Sequence, residues 1–420
     1  MDILRIATAG SVDDGKSTLI GRLLYETKSI TQDKIEALEA ASKRKGLDFV
    51  DLSLLTDGLI AEREQGITID VAHIYFNTAR RKYIIADTPG HIEYTRNMVT
   101  GASNAQVSII LVDARLGLSE QTKRHFYIAQ LLRIPEVIVA VNKMDLVGYD
   151  ENVFQQIIAD FKKTCDQIGF DGQQVRFIPL SSLYGENMVV TSDKMPWYQG
   201  DSLLDVLESL PPQGDLYYHK PARMGVQWVI RPKTDAYHDY RGYAGRISSG
   251  VFKSGDTVIS LPSGQESTID RIEKFGEDIS QAQVGDSVVI TLTSDIDVSR
   301  GNMLVKKEED LPWQTKQLTA EICWLDHQPL VPGKTYLIQH GINRQKSKII
   351  SLNSLLEMPS LVRKDSPNQL ALNEIGQVQL KLGNPVFVDT YANNPRNGAF
   401  ILIDEQSNST VGVGFVEAGI

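Results

Sequence analysis

Gly10-Ser11-Val12-Asp13-Asp14-Gly15-Lys16-Ser17 fits the pattern G-x-x-x-x-G-K-[ST], a phosphate-binding loop. The apolar run Leu4–Ala9 before it reads as a buried strand. In Ser17–Tyr25 after it, Leu19, Ile20, Leu23 and Leu24 share one helical face. Strand, glycine loop and helix is the context the pattern needs. Gly10 and Gly15 allow the tight turn that points successive N–H groups inward at phosphate oxygens, and the helix N-terminus adds partial positive charge. Lys16 would neutralise the β- and γ-phosphates. The Ser17 hydroxyl, with Thr18 beside it, suits a hard magnesium ion that prefers oxygen.

Three further motifs follow, each after an apolar strand. Tyr83–Ala86 runs into Asp87-Thr88-Pro89-Gly90-His91. Asp87, at a strand's carboxyl end, can hold magnesium through water, and Gly90 can offer its N–H to a γ-phosphate. Val107–Val112 is a buried strand with no motif. Val137–Val141 leads into Asn142-Lys143-Met144-Asp145, where the Asp145 carboxylate can accept two hydrogen bonds from guanine N1–H and its exocyclic amine. Adenine has an acceptor and no amine there, which would leave a buried carboxylate unpaired. Val175–Leu180 leads into Ser181-Ser182-Leu183, whose N–H groups can meet guanine O6. Any one of these could be a polar loop. Four in this order predict a GTP site with Mg2+.

The segment Ala61-Glu62-Arg63-Glu64-Gln65-Gly66-Ile67-Thr68-Ile69-Asp70 resembles the effector segment of translational GTPases, as does Asp-Thr-Pro-Gly-His. The resemblance implies that Thr68 contacts magnesium and γ-phosphate only in the GTP state. It implies that His91 positions the attacking water, screened by Val12 and Ile67, and that Asp13 lies near a monovalent cation.

Within that class the chain resembles the large, GTPase subunits of bacterial sulfate adenylyltransferases. The carriers are Gly10–Leu24, written GSVDDGKSTLIGRLL, with Asp14 where elongation factor Tu has a second histidine, and Asp57–Gln65. They continue through Ile85–Asp87, Tyr94–Ser103 and Tyr240–Arg246 to Asn394–Phe400. The resemblance covers essentially the whole chain. One departure is Ile92 after His91, where a polar residue is expected.

The resemblance implies a reaction that joins ATP and sulfate into adenosine 5′-phosphosulfate and pyrophosphate, an uphill step. Yet the sequence has no second phosphate loop, no S-G-G-x-D loop and no H-x-x-H motif. Adenylyl transfer is therefore expected on a smaller, ATP-binding partner subunit, with GTP hydrolysis here coupled to it through the switches. An elongation- or release-type translation factor, and a regulatory switch without a coupled enzyme, remain as alternatives.

The chain has 420 residues and a formal charge of −10, from 53 acidic and 43 basic side chains. That balance disfavours a general nucleic-acid surface. Apolar runs are of strand length only, so no membrane span is expected. The first strand begins within a few residues of Met1, leaving no room for a signal peptide. Cys165 and Cys323 read as reduced thiols of a cytoplasmic protein. Strands alternate with helices to about Leu210, giving a doubly wound, mainly parallel sheet. A charged, alanine-rich stretch at Lys34–Lys45 is expected to be helical. Beyond Pro221, short strands broken at Ser249-Gly250, Ser254-Gly255-Asp256, Pro262-Ser263-Gly264 and Val284-Gly285-Asp286 suggest an antiparallel barrel, and the all-β style repeats after Leu318. The expected fold is an α/β P-loop GTPase domain (1–214) followed by two antiparallel β-barrels (221–308 and 314–420). Lys334 to Lys364 gathers Lys334, Arg344, Lys346, Lys348, Arg363 and Lys364 against one acid, Glu357. A solvated barrel face accounts for it best; docking of an acidic protein or a remnant of RNA contact are the functional readings.

Overall fold

A computed structural model describes residues 2–11, 13–44, 46, 50–55, 71–88, 95–169, 174–211, 216–232, 240–358 and 360–419. Contacts divide the chain into two compact units, Met1–Pro212 with Glu357–Val362, and Gln213–Leu356 with Arg363–Ile420.

The first unit is built on strands β1 (Ile3–Ala9), β2 (Ala72–Asn77), β3 (Lys82–Asp87), β4 (Val107–Asp113), β5 (Glu136–Asn142) and β6 (Gln174–Pro179). Their order across the sheet is β2-β3-β1-β4-β5-β6. All neighbours are parallel except β2 and β3. The edge strand β2 was not read from the sequence. The turn Thr78–Arg81 is too short for a crossover, so it can join only an antiparallel pair.

Helices α1 (Lys16–Glu26), α2 (Gln32–Arg44), α3 (Thr95–Ala102), α4 (Glu120–Leu131), α5 (Glu151–Ile168) and α6 (Leu203–Ser209) belong to the same unit. Leu19, Ile20 and Leu23 of α1 bury fully against Leu4, Ile6, Ile85 and Ile109 of the sheet. Each such side chain contributes about 1.5–3 kcal/mol of burial, which fixes the helix over the strand ends. Gly21 permits a close approach: a Cβ there would lie 2.3 Å from the carbonyl oxygen of Leu52. Ser119 caps α4 in a reciprocal box with Thr122. Asp150 caps α5, which stops at Gly169 with φ 61°.

The second unit holds two closed six-stranded antiparallel barrels. The first comprises β7 (Arg223–Ile230), β8 (Gly242–Ser249), β10 (Thr257–Leu261), β11 (Gln265–Lys274), β14 (Ser287–Leu292) and β15 (Met303–Lys306). It closes where β10 meets β11. Short strands β9 (Val251–Lys253), β12 (Glu277–Ile279) and β13 (Gln281–Gln283) sit outside that ring. The turns expected at Gly250, Gly255, Gly264 and Gly285 all place glycine at positive φ.

The second barrel uses β16 (Trp313–Trp324), β17 (Thr335–His340), β18 (Asn343–Glu357), β20 (Ile375–Val388), β21 (Ala399–Ile403) and β22 (Thr410–Gly419). Pairing of β17 with β18 closes it, and β19 (Val362–Asp365) adds to β18. Ser347, Ile349 and Leu352 of β18 point inward, paired with the core residues Leu382, Leu380 and Val378, and bulges after Ile349 and Leu352 break the alternation. The basic residues of Lys334–Lys364 are spread over this barrel. Lys346 pairs with Glu405 at 3.1 Å and Arg363 with Glu321 at 3.0 Å.

The phrase Asn394–Phe400 ties the two barrels together. Asn394 Nδ2 donates to Ser249 Oγ at 3.0 Å, and Arg396 Nη1 to the Ile247 carbonyl at 3.2 Å. Asn397 Nδ2 donates to Asp389 at 2.8 Å, and Asp389 in turn faces the buried Arg223 at 3.4 Å. Among the described residues no helix is long and apolar enough to cross a membrane. Cys165 is half-buried and Cys323 buried, both as thiols rather than as a disulfide.

Candidate functional site

The carboxyl ends of β1, β3, β4 and β5 align at one sheet edge, with Thr8 beside Asp87 and Asp113 beside Asn142 in register. The chain order reverses around β1, and such a switch point is where open α/β sheets bind ligands. Gly15 opens α1 with φ 92°. A Cβ on Gly15 would lie 2.5 Å from Asn142 Nδ2, so the loop passes too close to β5 for any side chain.

The phosphate loop is braced from several sides. The Ser11 N–H donates to Asp14 Oδ2 at 2.6 Å, and Ser11 Oγ lies 2.8 Å from Ser119 Oγ. Lys16 is buried; its ammonium donates to the Thr88 carbonyl and lies 3.5 Å from Asp87 Oδ1. Asp87 also accepts from Thr8 Oγ1 at 3.1 Å, and Thr88 Oγ1 donates back to the Thr8 carbonyl at 2.6 Å. A buried carboxylate and a buried ammonium thus meet beside the first turn of α1, which carries Ser17 and Thr18. Ser17 Oγ and the Asp87 carboxylate are oxygen donors of the kind magnesium takes. Among the described residues no cluster of three His, Cys, Asp or Glu side chains could hold a metal by itself.

The base-reading loops close the other end. Asn142 Nδ2 donates to the Asp14 carbonyl at 2.7 Å, while Asn142 Oδ1 accepts from the Ser182 N–H at 2.9 Å. Lys143, with φ 62°, donates to the Asp13 carbonyl and to Asp113 Oδ2 at 2.8 Å. Met144 is fully buried and its N–H donates to the Leu180 carbonyl at 3.2 Å. Asp145 accepts from Ser181 Oγ at 2.6 Å. Asn142, Lys143, Asp145, Ser181 and Ser182 are therefore brought together with Gly10, Ser11, Asp13, Asp14 and Gly15. Leu183 is tied to the same corner by its carbonyl. Val12, Ile67, Thr68, Pro89, Gly90 and His91 lie outside the described residues.

Electrostatics follow the packing. Burial, reinforced by Asp113, pushes the Asp14 carboxyl up to about 6, against the Ser11 hydrogen bonds and Lys143. Burial would also raise Asp113, but hydrogen bonds from Arg115 and Lys143 outweigh it and hold the carboxyl well below the usual range. His125 on α4 is fully enclosed. Burial, then the positive charges of Lys16 and Arg124, push it down to about 3. Its Nδ1 has no hydrogen-bond partner among the described residues.

Sequence reasoning missed Arg22. From the outer side of α1 it donates to the carbonyls of Ser182 and Leu183. Nothing local marks it, since its partners lie 160 positions away. The Ser11–Ser119 brace was missed too, although Ser119-x-x-Thr122 is a readable helix start.

The family pattern described as "Elongation factor Tu GTP binding domain" matches residues 1–213, and "GTP-eEF1A C-terminal domain-like" matches residues 317–417. The "Bifunctional enzyme CysN/CysC" of Mycobacterium tuberculosis (strain CDC 1551 / Oshkosh) is 48% identical over 415 residues, 99% of this chain and 67% of that protein. "Sulfate adenylyltransferase subunit 1" of Aeromonas hydrophila is 45% identical over 420 residues, covering 100% of this chain and 86% of the relative. The protein of that name from Sodalis glossinidius is 46% identical over 416 residues, 99% and 86% respectively. A solved structure of sup35 complexed with GDP aligns with a TM-score of 0.45 at 22% identity, covering 100% of this chain and 94% of that one.

Proposed function

Because this chain belongs to the sulfate adenylyltransferase subunit 1 family, on a GTP-binding domain of the elongation factor Tu type, we propose that it is the GTPase subunit of a heteromeric sulfate adenylyltransferase. It hydrolyses GTP and thereby drives the uphill synthesis of adenosine 5′-phosphosulfate and pyrophosphate from ATP and sulfate on a smaller, ATP-binding subunit in the cytoplasm. The observation that carries the guanine-nucleotide part is the Asn142 side chain, which joins the Asp14 carbonyl to the Ser182 N–H and so makes one site of two loops. Resemblance across the full chain carries the rest.

In this reading Gly10–Thr18 cradle the phosphates and Lys16 balances their charge. Asp145 reads the guanine edge, and Ser181–Leu183 meet its O6. Mg2+ would sit between Ser17, Thr68, the phosphates and a water held by Asp87; its role is to offset charge on the phosphate oxygens. His91 holds the attacking water. Release of Thr68 and Gly90 after hydrolysis passes the change to the partner. The working domains are 1–214, 221–308 and 314–420.

The test is reconstitution with the smaller subunit, ATP and sulfate. GTP should raise the yield of adenosine 5′-phosphosulfate beyond the level that ATP and sulfate reach alone. Thr68→Ala should keep some GTP binding and lose that gain. If GTP leaves the wild-type yield unchanged, the coupling reading fails, and a translational or purely regulatory GTPase replaces it.

A further inference from the structure

Between the two barrels lies a cavity of about 540 Å³, within the range of small-molecule sites. Four arginines face it, two from each barrel: Arg246 on β8, Arg300 in the turn before β15, Arg344 on β18 and Arg396 in the turn before β21. No Asp or Glu lines it. In a chain whose formal charge is −10, that is a local inversion of sign.

Arg246, Arg300 and Arg344 are not consumed by the fold. Arg246 Nε donates to the Gly285 carbonyl at 3.2 Å, and Arg344 Nη2 to Asn408 at 3.0 Å. Each keeps most of its five donors. Among the described residues Arg300 has no hydrogen-bond or ion-pair partner, whereas Arg396 ties the barrels through the Ile247 carbonyl. Four guanidinium groups around one cleft repel each other. Planar forks match the oxygens of phosphate or sulfate groups, and such bonds are among the stronger ones a protein makes. Met303 and the half-buried Phe387 add apolar wall on which a ring can lie.

We propose that this inter-barrel cleft is a binding site for a compact small-molecule polyanion, of about nucleotide size, carrying phosphate-type oxyanions. Such a ligand would neutralise arginines of both barrels at once. It binds only the joined arrangement, so it stabilises that arrangement by mass action. The cleft is lined only by residues of the second unit, none of which belongs to the phosphate- or base-facing loops, and this assignment does not depend on the function proposed above.

The test uses the full chain loaded with GDP, so that the phosphate loop is already filled, at matched free magnesium. Inorganic pyrophosphate, ATP and a ten-residue glutamate peptide are titrated by calorimetry and by thermal unfolding. Variants are Arg300→Ala/Arg344→Ala and Arg300→Lys/Arg344→Lys, and their ligand-free melting and GDP content report folding. Expected is one pyrophosphate or ATP per chain and a raised melting temperature. Affinity should be weakened roughly tenfold or more in the alanine pair and partly regained in the lysine pair. Tighter ATP than pyrophosphate assigns a nucleotide; equal or tighter pyrophosphate assigns an inorganic or simple phosphorylated anion. Equal affinity in the alanine pair, no binding of either anion, or binding of the peptide alone overturns the proposal.

Discussion

Arg22, one turn and a half into the helix that follows the phosphate loop, donates from Nε to the carbonyl oxygen of Ser182 at 3.1 Å. Its Nη2 reaches the next carbonyl, that of Leu183. Glu26, 3.8 Å away, holds the guanidinium from one side. The same Glu26 crowds Gly185, where a Cβ would lie 2.1 Å from Oε1. The loop that would face the base is therefore fastened to the helix that would face the phosphates.

Removing that fastening should show in nucleotide release. Hydrogen bonds from a charged donor are worth about 1.5–3 kcal/mol, so Arg22→Ala should speed GDP dissociation by roughly 10- to 100-fold. Arg22→Lys cannot span both carbonyls with one fork and should fall between. Stopped-flow release of a fluorescent GDP measures it. Wild-type release rates in the alanine variant would mean that the loop is held by other contacts.

Asp145→Asn should weaken GTP binding and admit xanthosine triphosphate, whose altered edge pairs with an amide. The bond from Ser181 at 2.6 Å can be kept by the new oxygen, so folding should survive. Competition between the two nucleotides reads the switch. If the unsubstituted protein holds ATP as tightly as GTP at this site, Asp145 does not read guanine.

Asp14 gives the nucleotide-free protein a pH signature. Its carboxyl is raised by burial from 3.8 to about 6. Between those values the folded chain takes up a proton that the unfolded chain does not, so stability rises as pH falls through 6 toward 4. Above pH 6 the buried charge costs on the order of 2–3 kcal/mol. Asp14→Asn should therefore melt higher than wild type at pH 8, and the gap should narrow on acidification toward pH 4. A gap that does not change with pH would exclude Asp14 as its source.

In the second barrel, Glu321 is 2% exposed and meets Arg363 through both carboxylate oxygens at 3.3 and 3.0 Å. Burial raises the Glu321 carboxyl and Arg363 opposes the rise. Arg363→Ala strands a buried charge and should cost about 3 kcal/mol. Glu321→Gln added to it should restore most of that loss. Denaturant unfolding of the single and double variants decides; equal stability of wild type and Arg363→Ala would show the carboxyl to be neutral without its partner.

What could be read from the sequence was whatever chemistry leaves a local trace. Leu4–Ala9 before Gly10–Ser17, and Val137–Val141 before Asn142–Asp145, are strand and motif in one window. The turns at Gly255 and Gly285 carry the residue that positive φ favours. The antiparallel strand Ala72–Asn77 escaped because it is short and largely open to solvent, with Phe76 its one buried residue, so no buried apolar run marks it. Arg22, the Ser11–Ser119 brace and the arginine ring between the barrels escaped for another reason. Each depends on polar groups far apart in the chain that meet only after the strands have chosen neighbours. Asn394–Phe400 was legible as a distinctive phrase, but its use as the barrel joint was not, because Ser249, Ile247 and Asp389 supply its partners.

The two-ended amide of Asn142 bears on how the site empties. A nucleotide held by independent grips could loosen at one end and leave stepwise. Here the oxygen of one side chain fixes the base loop and its nitrogen fixes the phosphate loop, so disturbance at either end reaches the other through a single rigid group. A protein that hastens exchange need push on only one loop, and it can do so from the phosphate side or the base side with the same result.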